Sequence, residues 1–135
     1  SRAINTTIRE WVISRVRAIN AQGVIFFSKS DDIALLNEAA LYVMGNEQNK
    51  RLRVVHCFVD DAAIPHGLAE DLRTLDRIYP DLRIDLLLVK GVFGPELIEH
   101  LSRRLGVPKN YMFIGTPSDH FPHEIEALGG VRLIM

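Results

Sequence analysis

Residues 83-RIDLLLVKG-91 and 112-MFIGTPSDHFPHEIEALGG-130, with 131-VRLIM-135 directly after, decide the fold. The core of the first stretch, 84-IDLLLV-89, is a short apolar run closed by a glycine, the form a strand takes when both its faces are covered. Between the two stretches, Gly94-Pro95 opens a helix carrying Leu97, Ile98, Leu101 and Leu105 on one stripe. Gly106 closes that helix, with Pro108 just beyond; proline is at home in a first helical turn and glycine just past the last. A fourth strand, 111-YMFIG-115, follows, then a short helix around 121 to 128, and 131-VRLIM-135 is the last strand.

The upstream sequence repeats this alternation. Gly23 opens 24-VIFF-27 as the first strand, and Ser28, Lys29 and Ser30 form the turn after it. Ser30 is the expected N-cap, with Asp31 and Asp32 in a first turn where the helix dipole favours anions. That helix carries Ile33, Leu36, Ala40, Val43 and Met44 and is expected to stop near Gly45. The second strand is 52-LRVVHCFV-59, and Ile64-Pro65 begins a helix with Leu68, Leu72, Leu75 and Ile78 on one stripe, ended by Pro80. Strands alternating with helices of this length imply right-handed crossovers and a mainly parallel α/β sheet, here of five strands.

Residues 1–22 stand apart from this frame, which covers 23–135. Ile4, Ile8, Trp11, Val12, Val16 and Ile19 fall near one face at helical spacing, while Arg2, Arg9, Arg15 and Arg17 oppose the single acid Glu10. Such an amphipathic helix fits packing on its own domain or on a partner chain. Its basic excess also fits a juxtamembrane connector, because Lys and Arg gather on the cytoplasmic flank of membrane spans. The chain opens on Ser1, not Met, and so is expected to be a piece of a longer protein or a processed product.

Composition narrows the classes. At 135 residues, with 47% hydrophobic and 24% charged residues, the chain fits one globular domain. Sixteen basic against seventeen acidic residues give a net charge of −1, without the basic excess that phosphate backbones demand. Cys57 is the single cysteine, so no disulfide framework forms within the chain. No apolar run reaches the roughly 18 residues of a membrane span, so the fragment itself is expected to be soluble.

Ligands of open parallel sheets bind beyond the carboxyl ends of the strands, where strand order reverses. The loops to inspect are therefore 28-SKSDD-32 and 115-GTPSDHFPHE-124. Ser28, Lys29, Ser30, Gly115, Thr116 and Ser118 are the candidate ligand-binding residues, suited to an anion at a helix N-terminus. The same polar residues also serve as caps and turns. Neither GxxxxGK[ST] nor GxGxxG occurs.

Other constellations are weaker. Of the five histidines, only His120 and His123 are close in sequence, which falls short of a metal site's three or four ligands. His56, mid-strand, is expected as a hydrogen-bonded sheet residue and Cys57 as an inert buried thiol. His123 and Glu124 near Ser118 and Asp119 can be drawn as a hydrolytic set, but no nucleophile elbow accompanies them. Asp60-Asp61 and the pairs Glu99/Arg103 and Glu96/His100 are expected on solvated faces.

The order of elements resembles the universal stress protein fold. The residues carrying the likeness are 24-VIFFSKSDDIALLNEAALYV-43, Gly91, 112-MFIGT-116 and 130-GVRLIM-135, so it covers about residues 23 to 135. Nucleotide-binding members of that family carry an Asp at the end of strand one and a G-x2-G-x9-G-[ST] loop after strand four. Here Ser28 holds the first position, and after Gly115 the next glycines are Gly129 and Gly130. The resemblance thus implies a three-layer sandwich, a five-stranded sheet with helices on both faces, without the phosphate loop.

The stretches 33-IALLNEAALYVMGNE-47, 52-LRVVHCF-58, 74-TLDRIYPDLRIDLLLVKGVFGPELI-98 and 126-EALGGVRLI-134 are further similar to cytoplasmic C-terminal domains of bacterial amino-acid permeases of the amino acid–polyamine–organocation superfamily. That resemblance implies a non-catalytic regulatory or assembly domain on the cytoplasmic side of the membrane. It further implies self-association as a homodimer, no cofactor, and a membrane-embedded transporter part of the same polypeptide as partner. The edge for pairing two copies would be 131-VRLIM-135, apolar to its last residue. A free-standing universal-stress-type protein holding a small nucleotide is the alternative.

Overall fold

A computed structural model describes residues 23–29, 32–48, 50–115 and 128–134. The expected N-terminal helix over 1–22, the short helix up to residue 127, and Met135 lie outside the described residues. In chain order the elements are β1 (Val24–Ser28), α1 (Ile33–Asn46), β2 (Arg51–Phe58), α2 (Leu68–Ile78), β3 (Arg83–Lys90), α3 (Pro95–Leu105), β4 (Met112–Gly115) and β5 (Arg132–Ile134). Single 3-10 turns at Asp61–Ala63 and Lys109–Tyr111 precede α2 and β4.

The strands form one sheet in the order β3-β2-β1-β4-β5. All four pairings are parallel, where the sequence reading had required only a mainly parallel sheet. β1 lies in the middle because its residues carry apolar side chains on both faces. Val24 and Phe26 join Leu36, Ala40, Val43, Leu72 and Leu75 beneath α1 and α2. Ile25 and Phe27 join Ile98, Leu101 and Leu105 beneath α3 on the other face. The chain steps from β1 to β2 to β3 in one direction and then returns across β1 to β4. Right-handed crossovers place the returning helix on the opposite face, which yields the three layers.

Local chemistry moves three expected boundaries. Asp32, not Ser30, caps α1: its carboxylate accepts a hydrogen bond from the Ala34 N–H at 3.0 Å. At the other end the helix runs past Gly45 to Asn46. Lys50 Nζ donates to the carbonyls of Met44 and Glu47, each at 2.8 Å, so an ammonium does the work a left-handed glycine would do. α2 begins at Leu68 and not at Ile64-Pro65. Upstream of it Asp60 accepts from the Ala62 N–H and winds a separate 3-10 turn. The apolar stripe of α2 is also shorter than its spacing implied, for Leu68, Leu72 and Leu75 are buried while Ile78 is 57% exposed.

α3 matches its sequence signals at both ends. Pro95 occupies the first turn, and Gly106 closes the helix in the left-handed region at φ 68. Glu99 finds Lys109 Nζ at 2.7 Å in place of a dominant Arg103 partner. That hydrogen bond, with the lysine charge, holds the Glu99 carboxyl below its ordinary value. Among the described residues no helix is long and apolar enough to cross a membrane.

Candidate functional site

Strand order reverses between β1 and β4, and their carboxyl ends meet there. The register sets Phe27 beside Ile114, which brings Ser28 and Gly115 to neighbouring positions at the mouth of the crevice. Of the six candidate ligand residues the structure therefore juxtaposes Ser28 and Gly115, with Lys29 exposed immediately after Ser28. Ser30, Thr116 and Ser118 lie outside the described residues, as do Asp119, His120, His123 and Glu124.

Three contacts among the described residues lie at the mouth. Ser28 is buried, and its carbonyl accepts a hydrogen bond from His56 Nδ1 at 3.0 Å. The expected hydrogen-bonded sheet histidine is thus real, and the parallel register puts it directly beside Ser28. The amino end of α1 holds the Asp32 carboxylate on the Ala34 N–H, so a side-chain anion already sits where a helix dipole would favour a phosphate. Leu35 lies over the end of β4: a Cβ built on Gly115 would stand 2.9 Å from Leu35 Cδ2. Gly115 is therefore explained by the close passage of α1 and needs no ligand.

Cys57 looks toward the α3 side of the sheet, half-buried. Burial raises its thiol from the ordinary value of 9.0 to about 12. At pH 8 its thiolate population, and with it the rate of alkylation by iodoacetamide, is expected to be about a thousandfold below that of an exposed cysteine, rising with pH. Labelling as fast as that of free cysteine in the folded protein would contradict this assignment. Among the described residues no three His, Cys, Asp or Glu side chains converge in a metal-binding group.

At the opposite, amino end of the sheet lies a charged cluster that the sequence reading passed over. Arg51, Arg53 and Asp85 are buried in strands read there only for their apolar residues. Asp85 Oδ2 is 3.3 Å from Arg51 Nη2 and 3.5 Å from Arg83 Nε. Arg53 faces Asp85 in register and is 0% exposed. Burial, and then the charge of Arg51, lowers Arg53 to about 10, with Asp85 pulling the other way. The signal available in the sequence was the parity of the strands. Arg51 and Arg53 alternate with Leu52 and Val54, so both arginines point to one face of a strand buried on both.

No protein-family model, curated protein or solved structure matches this chain.

Proposed function

We propose that this is a non-catalytic regulatory or assembly domain, and that it serves an amino-acid permease from the cytoplasmic side of the membrane. The observation that supports the non-catalytic part is a set of three contacts at the switch point. Asp32 takes the anion position at the start of α1, Leu35 covers Gly115, and the Ser28 carbonyl is bonded to His56. The permease assignment and the universal-stress-type ancestry rest on the sequence resemblance, as do the membrane-embedded partner and self-association. In this reading residues 1–22 connect the domain to the membrane part and transmit motion between them.

The second reading, a free-standing nucleotide-binding protein of the universal-stress type, draws on one observation. The strand-order reversal does bring Ser28, Lys29 and Gly115 to the place where such ligands sit. Thermal unfolding with ATP, AMP and cyclic dinucleotides separates the two, because a ligand of the native state at 100 times its Kd adds about 2.7 kcal/mol of stability. The expected result is an unchanged Tm up to millimolar nucleotide. A saturable rise of several degrees with any of them would replace the first reading by the second. The permease assignment has its own test in the coding sequence upstream of Ser1, where it requires about ten apolar segments of membrane-spanning length.

A further inference from the structure

The outer side of β3 is a sheet edge, since its strand partner among the described residues is β2 alone. Beside that edge a groove of about 500 Å³ runs between α2 and β3. Its walls are Ala69, Leu72, Arg73 and Asp76 from the helix and Ile84, Asp85 and Leu86 from the strand, with the Asp85 carboxylate engaged by Arg51. Leu72 is buried and forms the floor, while Ile84 and Leu86 are half-buried. Arg73 and Asp76 are exposed at the rim, and Arg73 lies against Glu70 one turn back on its own helix.

We infer that this groove and edge are a self-complementary interface for a second copy of this chain, related by a twofold axis. Such an interface must contain both members of every contact it makes, because residue i meets j while j meets i. The groove meets that requirement in charge. A twofold axis passing between Arg73 and Asp76 makes the two α2 helices antiparallel. Each Arg73 then lies across from Asp76 of the second copy, giving two reciprocal ion pairs from one pair of residues.

The strand meets it in shape. An axis at Leu86 pairs the two β3 strands antiparallel and sets Leu86 against Leu86 and Ile84 against Leu88. In that register Arg83 falls across from Val89 and Asp85 across from Leu87, so no charge opposes its own kind. The backbone groups on the outer edge of β3 then join those of the second copy, and the two five-stranded sheets become one.

β5 is the rival edge and is the poorer one. Among the described residues it contributes Arg132–Ile134, and Arg132 is turned back, its Nε donating to the Asn110 carbonyl at 2.8 Å. β3 offers eight residues.

The inference rests on the assembly reading, and its failure is distinguishable, because nucleotide titration and self-association are separate measurements. Sedimentation of the chain Ser1–Met135 across a micromolar to submillimolar range is expected to show a monomer–dimer equilibrium. Arg73→Asp and Asp76→Arg, each alone, face like charges twice across the axis and are expected to weaken the dimer about tenfold or more. The double variant Arg73→Asp/Asp76→Arg restores opposite pairs at both places and is expected to return the dissociation constant to near its starting value. Circular dichroism of each variant confirms that these exposed changes leave the fold intact. A wild-type monomer throughout the range overturns the inference. So does a dimer indifferent to either single change, which would move the contact to β5 or elsewhere, or a double variant that fails to recover.

Discussion

Asp85→Ala is expected to cost the domain about 3–5 kcal/mol, whereas Arg53→Met, at the neighbouring position, is expected to be neutral or stabilising. The asymmetry follows from what each group does: Asp85 Oδ2 is shared by Arg51 and Arg83, whereas burial works against the charge of Arg53. Asp85 is 6% exposed, and removing it takes from the buried Arg51 the carboxylate that faces it at 3.3 Å. Arg53 carries the opposite sign of cost. Its value is lowered to about 10, below the ordinary 12.5, so at every pH below about 10 the folded state holds this charge at a penalty. Methionine fills similar volume without that penalty. Urea unfolding of both variants, read as midpoint and slope, checks the pair of expectations. Equal losses from the two would refute this asymmetry.

Phe113→Ala is expected to lose a further about 3–5 kcal/mol relative to wild type, the range of a large aromatic removed from a core. Phe113 is almost wholly buried in β4 and joins three elements. Its ring stands 4.8 Å from the Tyr42 ring of α1. The Arg132 guanidinium of β5 lies 4.3 Å over its centroid. A leucine at this position keeps most of the volume and gives up the ring contacts. The expected loss then falls to about 1–2 kcal/mol. If alanine and leucine cost the same in urea unfolding, the aromatic stack and not the buried volume is what Phe113 supplies, and the cavity argument fails.

The strands and α3 were legible because their signals are short-range and redundant. Apolar runs of strand length sit between Gly and Pro residues, and α3 has both its Pro95 start and its Gly106 stop. The ends of α1 were not legible, since three consecutive residues, Ser30, Asp31 and Asp32, are all good caps and the choice depends on where the chain leaves β1. Its far end depends on Lys50, which reaches back from beyond the helix and has no local signature.

Much the same holds for the candidate site. The place where order reverses could be named from the alternation of elements, and Ser28 and Gly115 do meet there. What fills it, Leu35 over Gly115 and His56 on the Ser28 carbonyl, is a matter of register between distant segments. The arginine cluster was missed for a similar reason: two charges in an apolar strand become a constellation only when β3 sets Asp85 opposite Arg53.

The central position of β1 also shapes the order of assembly. Its first neighbour, β2, follows soon in the chain, while its other neighbour, β4, comes from the last quarter of it. The half-sheet β1-β2-β3 with α1 and α2 can gather through near contacts alone. Loop closure over most of the chain has to precede the pairing of Phe27 with Ile114. Until then the strand destined for the middle of the molecule has a bare, apolar flank, and the same exposure recurs whenever β4 detaches. That flank is covered once β4 returns to pair with β1.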